Sequence, residues 1–223
     1  MKRYIGPVLF GVVGVAILIN LGLWQLRRLE VKEAKLAAIA AMLAGPLRDL
    51  PADGADIANC RYCGVEAKGR WSGEVVFSLD SLPYGGPGRR VIAVLEMAGG
   101  RRVLVDRGIW LDGTQAAPEE PHEAAIVGNL DDPQETDSYT PEPDREKRLW
   151  FARDVDGMAA ALKTEPTLIV AREPTGDGIT PMPVDTSAIP NNHWQYAVTW
   201  FLLAAAWLGM TAALLWRIRQ RGE

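Results

Sequence analysis

The chain has 223 residues, 24 Lys and Arg against 28 Asp and Glu, and 48% hydrophobic residues, which excludes a disordered, collagen-like or disulfide-framework protein. The net charge of −4, without a basic block interleaved with aromatics, argues against nucleic acid as a partner. Charge is unevenly spread: Tyr4 to Leu26 and Trp194 to Trp216, 23 residues each, contain no Asp, Glu, Lys or Arg.

After a short tail (1–3), the first uncharged stretch (4–26) predicts a transmembrane helix, because 23 residues at about 1.5 Å each span roughly 35 Å, enough for the hydrocarbon core. A cleaved signal peptide is the rival reading, but the apolar part is too long, and charged residues from Arg27 to Lys35 occupy the place of a cleavage site. Leu26, Leu29, Leu36, Ile39 and Leu43 keep helical spacing, so the helix is expected to continue over 27–45, stopping at Gly45-Pro46.

Residues 46–193 are expected to form a β-rich domain. Strands are predicted at Tyr62–Trp71, Glu74–Leu79, Arg90–Met97, Arg102–Trp110, Ala124–Leu130 and Thr167–Arg172. The turns are Gly85-Gly86-Pro87-Gly88 and the hairpin pair Gly99-Gly100, and one short helix is expected over Asp154–Leu162. Asp112 to Glu146 holds 11 acidic residues against Arg145 and reads as a solvated loop around one strand. The second span (194–216) follows, then a tail (217–223).

Arg217, Arg219 and Arg221 follow the second span, and no Lys or Arg lies between Arg172 and its start, so the C-terminus is expected in the cytoplasm. An even number of spans places the N-terminus there too. The intervening segment, with 19 basic and 27 acidic residues, becomes an extracytoplasmic domain tethered at both ends. The expected fold class is a membrane protein: two transmembrane α-helices flanking a mainly antiparallel β (α+β) domain.

Catalytic chemistry is poorly supplied. The chain has two histidines and no nucleophile elbow, phosphate loop or H-E-x-x-H pair. Cys60-Arg61-Tyr62-Cys63 lacks the following histidine of covalent haem attachment and any second zinc pair, so its cysteines read as structural, with a thiol or copper role as the alternative. A disulfide there requires a turn, since alternation in a strand would point the two side chains apart. His122 reads as an exposed loop residue. His193, at the start of the second span, reads either as part of an interfacial helix start capped by Asn191 or Asn192 with Trp194 in the aromatic belt, or as a functional imidazole at the membrane edge. If the helices are antiparallel neighbours, Trp24 and Gln25 share its depth. Tyr196, Ala197 and Trp200 share its helix face. Ala205, Gly209 and Ala213 form a small-residue ridge, with Gly11 and Gly14 available opposite.

These residues are recognisable in combination. Leu21 to Arg28 (LGLWQLRR), Gly69-Arg70-Trp71, Gly85 to Gly88, Val103 to Trp110 and Pro190 to Phe201 (PNNHWQYAVTWF) resemble the Surfeit locus (Shy) family of cytochrome c oxidase assembly factors. The departures fall in the β domain: Asp106 stands for the family's Asn, Ile109-Trp110-Leu111 for its Trp-Val-Pro, and Gly88-Arg89 for its Gly-Tyr. The absence of a presequence suits a bacterial member in the cell inner membrane, its central domain periplasmic. The resemblance implies a non-enzymatic factor that binds haem a and hands it to cytochrome c oxidase subunit I, with haem a synthase and the lipid bilayer as further partners. On that reading His193 is the axial ligand of haem iron, and Trp24, Gln25, Tyr196 and Trp200 line the macrocycle. The alternative is a scaffold that stabilises an oxidase assembly intermediate without binding haem.

Overall fold

A computed structural model describes residues 2–51, 60–82, 86–111, 121–187 and 189–221. The chain divides into two compact units, one of residues 1–38 with 186–223 and one of residues 39–185. Gly86, Pro87 and Gly88, expected in a turn, are instead strand residues paired with Leu82, Ser81 and Asp80, while Gly85 and residues 112–120 lie outside the described residues.

The first unit is a helix pair. Helix α1 (Lys2–Leu43) and helix α3 (His193–Gln220) are each long and apolar enough to cross a bilayer. They run antiparallel: Arg3 donates to the Ile218 carbonyl near one end, Gly11 faces Thr211, Gly14 faces Trp207, Gly22 faces Phe201, and Gln25 meets His193 at the other. The α1 glycines let bulky α3 side chains sit against the helix backbone. The Ala205, Gly209, Ala213 ridge does not take part. Gly209 has open space where a side chain would project, and Ala197 and Ala204 are the alanines buried in the seam. Helical phase decides this, because Ala197, Ala204 and Thr211 recur at seven residues on the face turned to α1, and Gly209 lies off it.

The second unit is a closed mixed sheet. The described residues form β1 (Arg48–Asp49), β2 (Gly64–Leu82), β3 (Gly86–Met97), β4 (Arg102–Leu111), β5 (Glu123–Asp131), β6 (Leu149–Trp150) and β7 (Leu168–Ala171), with helix α2 (Val155–Leu162) between the last two. The two strands expected over 62–79 are one, bent by a bulge between Trp71 and Val75 where Gly73 takes φ 86°. This bend lets β2 serve twice. Its later part pairs with β3 and its first seven residues pair with β5, so the ring β2-β3-β4-β7-β5 closes on itself. The sheet is mainly antiparallel, as expected, with parallel pairs at β1–β2, β2–β6 and β4–β7. β4 and β7 are parallel, because β5, β6 and α2 intervene and carry the chain back before β7 inserts.

Alternation distributes the core. Val65, Trp71, Phe77, Val91, Leu95, Val105 and Ile169 point into one apolar cluster, while Ile92, Val94, Leu104, Leu168 and Val170 point into another, covered by Met158 and Ala159 of α2 and by Trp150. The central strands are therefore buried on both faces, which is why Val91–Leu95 reads as an unbroken apolar run. Asp154 starts α2 by accepting from the Gly157 N–H at 3.0 Å.

The departures at 106–111 are absorbed structurally. A second bulge places Gly108 at φ 109° and turns Asp106 and Arg107 to different surroundings. Asp106 is fully buried; its carboxylate accepts from Arg90 at 2.8 Å, Arg153 at 3.4 Å and the Gly108 N–H at 3.0 Å. The buried carboxylate is thus balanced by two guanidinium groups. Arg107 lies 4.7 Å over the Trp71 ring and donates to Thr175 and Asp177. Burial lowers its pKa, opposed by the Asp177 hydrogen bond and charge. The acidic segment is also less free than expected, because Glu135 accepts from Arg153 and Asp131 from Arg61.

Candidate site at the helix-pair end

Helix α3 opens at His193, three residues after Pro190. Asn192 holds the N-cap position without a side-chain cap bond, so the expected capping role is not fulfilled; the first turn closes through its carbonyl, which accepts from the Tyr196 N–H at 3.2 Å. Asn191 also does not cap. Its Oδ1 is buried and accepts no hydrogen bond.

The imidazole of His193 is half-buried, and its Nδ1 stands 2.8 Å from the Gln25 Oε1 of α1. Two residues 168 positions apart meet because α1 runs unbroken past Gln25 and the antiparallel seam brings both to the same end. When Nδ1 donates to that carbonyl, the other ring nitrogen of a neutral imidazole, Nε2, is the one left to accept. An oriented imidazole with one free nitrogen is the donor set that a metal centre takes from a single histidine.

The other expected residues divide. Ala197 is fully buried in the seam one turn below His193, Trp200 is half-buried beside it, and Tyr196 is 55% exposed on the same flank. These three continue the His193 surface down α3. Trp24 does not join them. It is 46% exposed and lines a shallow groove of about 650 Å³ formed by α1 residues alone. One residue advances a helix by about 100°, so Gln25 facing α3 turns Trp24 away. Depth was legible in the sequence, and azimuth required the partner helix.

Elsewhere, Cys60 and Cys63 form a disulfide with Cα atoms 5.2 Å apart. The required turn is present, closed by Cys63 N–H to the Cys60 carbonyl at 2.9 Å and by Tyr62 at φ 72°. Tyr62 and Cys63 bond to Leu130 of β5, and the Tyr62 carbonyl accepts from Asn129, so the cysteines fasten the start of β2 to its neighbour. Arg172 donates to Asn129 and to the Leu43 carbonyl at the end of α1. Among the described residues, no group of three or more His, Cys, Asp and Glu is placed to hold a metal ion.

Comparison with known proteins agrees with this layout. Residues 12–205 match the SURF1 family. A SURF1-like protein of Rickettsia felis is 30% identical over 204 residues, spanning 84% of this chain and 87% of that protein. A SURF1-like protein of Monosiga brevicollis is 28% identical over 213 residues, with 86% and 80% covered. Surfeit locus protein 1 of Rattus norvegicus is 25% identical over 210 residues, with 84% and 68% covered. Since the match runs from the first apolar helix through the β barrel into the second, the chain belongs to the SURF1 family.

Proposed function

We propose that this protein is a bacterial inner-membrane assembly factor for a haem-copper terminal oxidase, which carries haem a on His193 and delivers it to subunit I. Membership of the SURF1 family supports the oxidase-assembly role. The two apolar helices support membrane anchoring, and Arg217, Arg219 and Arg221 favour cytoplasmic termini with the barrel in the periplasm.

The observation that carries the cargo assignment is the His193–Gln25 contact. Haem iron accepts a neutral imidazole nitrogen as an axial ligand. Gln25 holds the proton on Nδ1 and so reserves Nε2 for that role, while Trp200 and Tyr196 offer aromatic surface on the same side of α3. A single protein ligand at the membrane edge suits a carrier, because cargo held by few bonds is released when the recipient offers its own histidines. Loading from a membrane-bound haem a synthase would be lateral, at the depth of His193.

The test is co-expression of the full chain with haem a synthase, purification in mild detergent and redox difference spectra. The parent should retain a haem a band, His193→Ala should lose it, and Gln25→Leu should weaken retention about ten- to a hundredfold, as loss of a hydrogen bond behind a metal ligand does. A parent that takes up no haem a would replace this reading with that of a scaffold acting on an assembly intermediate.

A further inference from the structure

The disulfide between Cys60 and Cys63 closes a turn with a sequence separation of only 3, and the setting of that turn is not that of a structural cross-link. So short a loop constrains the unfolded chain least, and the bond adds little stability by that route. The turn is also held without it. Tyr62 N–H donates to the Leu130 carbonyl at 2.8 Å, Leu130 N–H to the Cys63 carbonyl at 3.0 Å and Asn129 Nδ2 to the Tyr62 carbonyl at 2.8 Å, so the backbone is fastened to β5 with the sulfurs joined or apart. A charge completes the setting. Parallel pairing of Arg48 with Val65 lays β1 along the start of β2, and the Arg48 Nη1 stands 3.8 Å from the Cys60 Sγ. A disulfide sulfur carries no charge for a guanidinium to balance, whereas a thiolate does.

We propose that Cys60 and Cys63 are a redox-active pair that oxidises a dithiol on a partner protein. Cys60 is buried and Cys63 is partly exposed, which makes Cys63 the sulfur open to attack. A partner thiolate attacks the Cys63 Sγ, the Cys60–Cys63 bond breaks, and its electron pair leaves on the Cys60 Sγ as a thiolate beside Arg48. The partner's second thiol gives its proton to water and attacks the partner sulfur of the mixed disulfide, and Cys63 leaves as a thiolate that takes up a proton. The partner dithiol has then lost two electrons and become a disulfide, and the pair holds those electrons as a dithiol. A disulfide of another protein, or oxidised glutathione, restores the starting state. Arg48 sets the sense of the reaction: by stabilising the reduced form it makes the disulfide a stronger oxidant and Cys60 a better leaving group. The pair belongs to the unit of residues 39–185 and uses no residue of the His193 site, so its chemistry does not depend on haem.

The experiment equilibrates the full chain, in mild detergent, with mixtures of reduced and oxidised glutathione and counts free thiols by alkylation and mass spectrometry. The pair should open at glutathione ratios that leave structural disulfides closed, with the far-UV circular dichroism retained. Glutathione trapped as a mixed disulfide should map to Cys63 and not to Cys60. A fluorescent peptide carrying two cysteines, supplied reduced, should be oxidised by the parent. Arg48→Leu should slow that oxidation about tenfold, and Arg48→Lys, which keeps the charge, should recover most of the rate. A pair that resists glutathione until the protein unfolds overturns the proposal and leaves the disulfide a structural one. So does an Arg48→Leu chain that oxidises the peptide at the parent's rate, or glutathione found on Cys60.

Discussion

Glutamate 135 shows how a single residue in a loop-like acidic stretch acquires a structural role. Its carboxylate accepts from the Arg153 N–H and Nε, each at 3.0 Å. Burial pushes its pKa up, but the hydrogen bonds and charge of Arg153 outweigh this and leave it below the ordinary carboxylate value. A group whose pKa is depressed on folding stabilises the fold above its unfolded value and ceases to do so as pH falls through the folded one. Thermal melts followed by circular dichroism, from neutral pH down to about 3, should therefore show a shallower acid limb for Glu135→Gln than for the parent. At neutral pH the variant should be less stable by no more than about 1 kcal/mol, because Glu135 is partly solvent-exposed. No local pattern announces this partner, since Arg153 lies 18 residues away across β6.

At the scale of elements, the strands and helices follow from local patterns, whereas their partners do not. Val91–Leu95 and Leu168–Ala171 are apolar runs that any buried strand could show, and only closure of the ring sets β7 between β4 and β5. The helix pair repeats the lesson. Small residues were visible on both spans, but the packing uses the α1 glycines against Thr211, Trp207 and Phe201, and it leaves Gly209 outside. A side chain at Gly22 would meet the Phe201 ring at 2.5 Å, while one at Gly209 meets nothing. Gly22→Leu should therefore lower the thermal stability of the helix pair in mild detergent by about 1–3 kcal/mol, the usual cost of overpacking. Gly209→Leu should melt with the parent, and a matching loss in both would refute this seam.

For the whole molecule, one charge asymmetry bears on orientation. Arginine 217 and Arg219 in the last turn of α3, with Arg221 at its end, contrast with the absence of Lys and Arg between Arg172 and His193. A fluorescent reporter that matures only in the cytoplasm should be bright when fused after Glu223, and a periplasmic phosphatase fused there should be inactive. The same phosphatase placed after Asp185, ahead of α3, should be active. The reverse pattern would invert the proposed topology and move His193 to the cytoplasmic face.

By itself the sequence determined what depends on neighbours along the chain: two apolar helices, the apolar β-runs, the short helix α2, the turn at Gly99-Gly100 and the polar end of each span. Its motifs also carried the family. Tertiary structure alone decided what depends on burial between distant segments: the bulged β2 that closes the barrel, the two guanidinium groups around Asp106, and the azimuth of each residue near His193. Periodicity fixes how a side chain points relative to its own element. Which neighbour it meets is set by faces that bury each other, and so Gln25 reaches His193 while the adjacent Trp24 is turned to a different surface.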